Sequence, residues 1–226
     1  PYGKECRSVW TVDEGNVLVG IDASGLELRM LAHYMRDDDY TNEILSGDIH
    51  TKNMKAAGLE NRDQSKRFIY AFLYGAGPAK IGQVVGGSER EGKKLISTFL
   101  ANTPALKVLK DKVNKLSDKG WLPGLDGRKL FVRSQHAALN TLLQGAGAIV
   151  MKKALILLTQ KLNCDRIHGS IVANVHDEWQ IETTEEHADI VGRYGVMAIQ
   201  EAGLAFGLRC PLDGEFKVGT NWAATH

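Results

Sequence analysis

The sequence predicts an α+β chain with strands near both ends and a helical, basic segment inserted between them. Three observations lead there. Apolar, β-branched runs close on acidic residues at Val17-Leu18-Val19-Gly20-Ile21 and at Ile171-Val172-Ala173-Asn174-Val175. The middle of the chain carries helical rather than alternating periodicity. The charge is also divided: residues 52–133 hold 17 Lys and Arg against 7 Asp and Glu, net +10, and the remainder is net −9 in a 226-residue chain of net +1.

The elements follow in order. The first apolar run reads as a buried strand ending at Asp22, and Ser24-Gly25 turns the chain into a helix over 26–35 with Leu28, Leu31, Ala32 and Met35 on one face. Arg36-Asp37-Asp38-Asp39 reads as a loop. A helix from Arg62 to about Tyr74 turns Phe68, Ile69, Phe72 and Leu73 inward, and Gly75-Ala76-Gly77-Pro78 ends it. Helices over 89–100 and 104–118 come next, the second with Pro104 in its first turn. Residues 120–127 form a Gly/Pro loop and 129–132 a short strand. Residues 134–161 read as a long helix interrupted at Gly145-Ala146-Gly147. A strand over 171–175, a turn at His176-Asp177-Glu178 and a strand over 179–183 follow. A helix over 185–202 and a strand near 216–218 complete the chain.

Composition narrows the class. With 43% hydrophobic and 24% charged residues and no low-complexity tract, the chain is not of the disordered type. No run of about 18 apolar residues occurs, because Lys152 and Lys153 divide the nearest candidate, and no membrane partner is expected. Cys6, Cys164 and Cys210 are far apart and form no C-x-x-C pair, which argues against a zinc cage and for a reducing, cytoplasmic setting. A first residue that is Pro rather than Met reads as a piece of something longer. The basic block suggests an anionic ligand on one lobe and cations on the other. A solvated lysine-rich helix would look the same, and Lys107-Val108-Leu109-Lys110-Asp111-Lys112 fits it.

Three constellations carry chemistry. Asp22 ends one strand and Asp177-Glu178 follows another, and a carboxylate so placed is costly unless paired or bound to metal. Such acids on one sheet face suit a pair of Mg²⁺ ions ~3.5–4 Å apart, as in in-line phosphoryl transfer; two turn aspartates are the plainer reading. The third is Arg62, Lys66, Tyr70 and Tyr74. A four-residue step turns a helix ~400°, so these side chains share one broad face. Two cations followed by two aromatics suit a triphosphate at one end and a sugar and base at the other. His50 adds a further phosphate donor, and no Walker-type loop is present. His136, Asn140 and Gln144, at the same spacing, offer neutral groups that suit a minor groove or an ordinary polar helix surface.

Taken together, Asp22-Ala23-Ser24-Gly25-Leu26-Glu27-Leu28-Arg29, Arg62-x₃-Lys66-x₃-Tyr70-x₃-Tyr74-Gly75 and Val175-His176-Asp177-Glu178 resemble motifs A, B and C of family-A (pol I-type) DNA polymerases, in order. The likeness runs on through Gly47-Asp48-Ile49-His50-Thr51-Lys52-Asn53 and Gly124-Leu125-Asp126-Gly127-Arg128-Lys129 to Asn221-Trp222-Ala223-Ala224-Thr225-His226. Within that family it is nearest to podophage replicative polymerases. The resemblance implies an antiparallel palm sheet over 1–46 and 134–226, with helical fingers over 47–133 inserted as in a right-hand polymerase; thumb and exonuclease would lie upstream and are absent.

The resemblance also implies roles. Asp22 and Asp177, with the Ala23 carbonyl, would hold two Mg²⁺ ions, with Mn²⁺ able to substitute, and Glu178 would have a secondary part. Arg62, Lys66 and His50 would clamp the dNTP phosphates. Glu27 would pair with Tyr70 beneath the sugar and exclude a 2′-OH, and Tyr74 would stack near the templating base. His136, Asn140 and Gln144 would touch the primer–template minor groove and His176 the primer end, while Arg29 is structural. The implied reaction is DNA-templated addition of dNTPs to a primer 3′-OH during phage replication in the host cytoplasm, with a processivity factor or helicase as possible partners of a full-length enzyme. Rival readings are a metal-dependent nuclease and a fragment that binds DNA or dNTP without turnover. A single-subunit RNA polymerase fits the Glu27/Tyr70 gate less well.

Overall fold

The structure, a computed structural model, describes residues 2–226. It opens with α1 (Gly3–Ser8), β1 (Asn16–Ala23), α2 (Leu26–Met35), α3 (Asp38–Ser46), α4 (Ile49–Ala57) and α5 (Arg62–Leu73). There follow α6 (Pro78–Val84), α7 (Glu89–Asn102), α8 (Pro104–Ser117), the short strands β2 (Trp121–Pro123) and β3 (Lys129–Phe131), and α9 (Ala138–Cys164). The chain ends with β4 (Ser170–Val175), β5 (Glu178–Thr184), α10 (Ala188–Ala205), β6 (Gly214–Gly219) and α11 (Trp222–Thr225). These elements form two compact units: residues up to 26 with 147–226, and residues 27–146.

The first unit holds a four-stranded antiparallel sheet in the order β4-β5-β1-β6. Its central strand β1 is the apolar run near the start of the chain, with Leu18, Val19, Ile21 and Ala23 buried. Helix α10 packs on β1 and β6, closing a core that includes Ile21, Trp179, Ile181, Val191 and Ile199. Helix α11 lies against β1 and β6, and α1 against α11.

The second unit is helical. Phe68, Phe72 and Phe99 form an aromatic cluster, with ring centroids 5.1 Å apart for Phe68–Phe99 and 5.5 Å for Phe72–Phe99. Both of those pairs are edge-to-face, the favourable geometry for aromatic rings. The N-termini are capped by side chains: Asp37 for α3, Asp48 for α4, Asn61 for α5, and a Ser88–Glu91 capping box for α7.

Several elements depart from the sequence expectation. Asp38 and Asp39 are not loop but the first turn of α3, where carboxylates suit exposed helix N–H groups; Arg36, at φ 56°, makes the bend before it. Helices α1, α3, α4, α6 and α11 were not anticipated, and β2 occupies part of the expected 120–127 loop. Glu178 belongs to β5 rather than to the turn. The final long helix begins at Ala188, after a 3₁₀ turn over Glu185–His187, and extends to Ala205. The boundaries of the two compact units fall at 26/27 and 146/147.

Gly145-Ala146-Gly147 does not interrupt α9, which runs unbroken through it. A Cβ on Gly145 would lie 2.6 Å from Leu130 Cδ1, so the glycine serves close packing rather than a break. By length and composition the segment Gln135–Cys164 is apolar enough to cross a bilayer, with mean hydropathy 1.5. Half of that apolar stretch is buried inside the fold, as in a core helix, with Leu139, Leu142, Leu143, Val150 and Leu158 among its covered side chains.

Candidate active site

In the first unit the sheet gathers carboxylates at one end. Asp22 in β1 is the register partner of Glu178 in β5 and of Glu215 in β6. Residues directly opposite in an antiparallel pair share a face, so three acids stand in a row across three strands. Between β4 and β5 the chain turns through His176-Asp177, with His176 in the left-handed region at φ 55°. The Asp177 carbonyl accepts from the Ala23 amide at 3.1 Å, which pins the hairpin tip to the end of β1. Residues from opposite ends of the chain thereby become neighbours.

The electrostatics reflect this crowding. Burial, then the charges of Asp177, Glu178 and Glu215, push the Asp22 carboxyl up from 3.8 to about 6, while His226 opposes them. Glu178 is only 7% exposed and its oxygens are occupied. Oε1 accepts from Trp222 Nε1 at 2.6 Å and from Gln180 Nε2, and Oε2 lies 2.7 Å from His226 Nδ1. Gly20, Asp22, Glu178, Glu215, Lys217 and His226 line a cleft of about 120 Å³.

The second unit assembles the cation and aromatic residues. Along α5, Arg62 and Lys66 are exposed, Tyr70 is half-buried and Tyr74, the helix cap, is exposed, while Phe68, Ile69, Phe72 and Leu73 are covered. Arg62 donates to Asp48 through Nε at 2.8 Å and Nη2 at 3.1 Å. Asp48 is held in turn by Thr51 Oγ1 at 2.7 Å and by the His50 amide. His50 stands near Tyr70, ring centroids 6.3 Å apart, and its buried Nδ1 has no hydrogen-bond partner among the described residues. Burial, together with the Arg62 and Lys66 charges, lowers its pKa, so the imidazole is held towards neutrality beside two cations. That field suits an anion.

The expectation paired Glu27 with Tyr70; in the structure Glu27 Oε1 accepts from the Tyr74 hydroxyl, one turn further along. The expected His136/Asn140/Gln144 face divides between a 3₁₀ turn carrying exposed His136 and helix α9 carrying Asn140 and Gln144. Arg29 is buried at 9% exposure. Among the described residues no group of three or more His, Cys, Asp or Glu side chains is placed to hold a metal ion.

Sequence reasoning missed Asp48, Gln180, Glu215, Trp222 and His226 as parts of these clusters. Only Asp48 carried a local signal, as an N-cap residue before Ile49. The others act across long separations.

Comparison with known proteins agrees with this architecture. The model of DNA polymerase family A matches residues 1–224. The chain is similar to the DNA-directed DNA polymerase of Escherichia phage T7, 44% identical over 100% of this chain and 37% of that protein, and to that of Enterobacteria phage T3 at 43%. It is 28% identical to DNA polymerase I of Geobacillus stearothermophilus over 97% of this chain and 27% of that protein. The chain thus spans little more than a third of the length of the phage relatives. Its fold matches the POL domain of Pol1 from M. smegmatis, solved with DNA primer-template and dNTP, with a TM-score of 0.87 at 24% identity over 99% of this chain and 43% of that one.

Proposed function

Because the chain belongs to DNA polymerase family A, we propose that it carries the nucleotidyl-transfer site of a DNA-directed DNA polymerase, adding dNTPs to a primer 3′-OH on a DNA template during phage replication. The observation that carries this reading is the row of carboxylates at the end of the sheet, with Asp22 held up to about 6 by burial and its acidic neighbours. A cluster so crowded is completed by cations. Asp22, Asp177 and the Ala23 carbonyl are hard oxygen donors, too few to enclose an ion, which suits Mg²⁺ that retains water and phosphate oxygens. When bound, two such ions acidify the primer hydroxyl and neutralise the triphosphate and leaving pyrophosphate.

The chain's own residues do the rest. Asp22 and Asp177 fix where the reacting oxygens meet. Arg62, Lys66 and His50 receive the triphosphate, with Arg62 exchanging or sharing its exposed Asp48 partner. An exposed pair of that kind is weak enough to give way to a more highly charged phosphate. Tyr70 and the Glu27–Tyr74 pair face the sugar, Tyr74 also stacks near the templating base, and His136, Asn140, Gln144 and His176 contact primer–template DNA. In this reading residues 47–133 act as fingers, and 1–46 with 134–226 as palm.

Single-nucleotide primer extension on this chain, with a hairpin template, Mg²⁺, dNTP against rNTP and Asp177→Ala as control, tests the proposal. Extension by the templated dNTP, lost in the variant, is expected. Cleavage of the hairpin would replace this reading with a nuclease, and dNTP binding without extension would leave a binding fragment.

A further inference from the structure

We infer that Trp222 and His226 are positioning residues that hold Glu178 away from the metal, so that Asp22 and Asp177 alone supply carboxylates to it; the inference rests on the metal role proposed for those two aspartates. Glu178 stands beside Asp22 on the same sheet face, close enough by register to act as a third ligand. What prevents this is α11. Its capped turn is fixed by Asn221 to the Ala224 amide, by the Trp222 amide to the Trp10 carbonyl at 3.1 Å, and by Arg7 over the Trp222 ring at 5.6 Å.

From that anchored turn two side chains reach Glu178 and a third acts on it through Gln180. Trp222 Nε1 takes Oε1, His226 Nδ1 takes Oε2, and Thr225 Oγ1 donates to Gln180 Oε1 at 2.7 Å, turning the Gln180 amide nitrogen towards Glu178 Oε1. Gln180 and Thr225 are 2% and 5% exposed. To swing onto a metal, Glu178 would have to give up the part-buried Trp222 indole N–H and leave the buried Gln180 amide without its acceptor. Glu178 therefore acts through its hydrogen bonds, and the terminal turn sets the ligand count.

The test measures Mn²⁺ binding to the full chain by the loss of the free-ion paramagnetic resonance signal, with thermal melting alongside. Trp222→Phe keeps the ring and removes the donor; His226→Ala alters an exposed side chain and serves where Trp222→Phe fails to fold. Either should tighten Mn²⁺ binding several-fold, since affinity for a hard cation rises with the number of charged oxygen ligands. Adding Glu178→Gln to either should restore the wild-type value. Unchanged or weaker binding in both variants would overturn the inference, as would tightening that survives Glu178→Gln, and so would a drop in melting temperature with no change in affinity. Asp177→Asn separates the two levels: Mn²⁺ binding undiminished by it would instead remove the metal role on which the inference rests.

Discussion

Asp22 and Glu178 face each other across β1 and β5 as direct register partners, yet only one of the two carboxylates has its oxygens filled by neighbouring donors. Glu178 is satisfied by an indole, an amide and an imidazole. Asp22 is half-buried with acidic neighbours on both sides, and burial first, then those charges, raise its pKa to about 6.

That asymmetry fixes a pH dependence. The folded pKa of Asp22, about 6, lies above the unfolded 3.8, so the folded state binds the extra proton between these values. The metal-free protein should therefore lose stability from this group as pH rises from about 4 to about 6, with the penalty fully present above that window. Asp22→Asn should flatten the dependence and, in the absence of metal, melt higher at neutral pH, by on the order of 1 kcal/mol once screening of a half-buried group is allowed for. Mg²⁺ should raise the melting temperature of the wild type and not of the variant. Parallel pH–melting curves would refute the assignment.

The two tyrosines of α5 and its cap separate cleanly. Tyr70→Phe should leave dNTP use nearly unchanged and raise discrimination against dideoxynucleotides; equal use by both versions in a competition assay would sink the sugar contact. Tyr74→Phe removes the hydroxyl that Glu27 accepts from. It should weaken rejection of rNTPs by about fivefold, the factor carried by one hydrogen bond of about 1 kcal/mol, read as the ratio of kcat/KM values.

Stability of the helical unit should depend on its aromatic cluster. Phe99 is fully buried between Phe68 and Phe72. Phe99→Ala should cost about 3–5 kcal/mol in urea unfolding, and Phe99→Leu markedly less. A loss below about 1 kcal/mol would mean that the cluster collapses on the cavity without strain.

Asn61 caps α5 by accepting from the Asp63 and Gln64 amides, directly before Arg62. Asn61→Ala should destabilise by about 1 kcal/mol, while Asn61→Asp should retain the cap. Loss of the cap should also raise KM for dNTP more than it lowers kcat, since it loosens the turn carrying Arg62. Unaltered KM alongside the expected drop in melting temperature would confine Asn61 to a structural part.

The legible parts of this molecule are those encoded locally. Val17–Ile21 and Ile171–Val175 announce strands because β-branched runs have few alternatives, and the amphipathic faces of α2, α5, α7 and α8 declare helices. Helices α3, α4 and α6 were missed because they are short, seven to nine residues, and α3 and α4 depend on a single capping aspartate. The Gly145–Gly147 stretch misled because the need for Leu130 to pack against the backbone is written elsewhere in the chain. The acids Asp22, Asp177 and Glu178 were visible as punctuation after strands. Their environment was not, since Glu215, Trp222 and His226 reach it only through sheet register and a terminal turn.

The pairing of β1 with β5 and β6 has a consequence for how the chain comes to be folded. During synthesis β1 leaves the ribosome before both of its neighbours and must wait for them, while residues 27–146 can collapse on contacts of their own. Closure of the sheet is a high-contact-order event that pays the loop entropy of the entire insertion. The acidic cluster is thus absent from the nascent chain until the last strand arrives, and refolding should show a helical phase ahead of the slower step that buries Trp179.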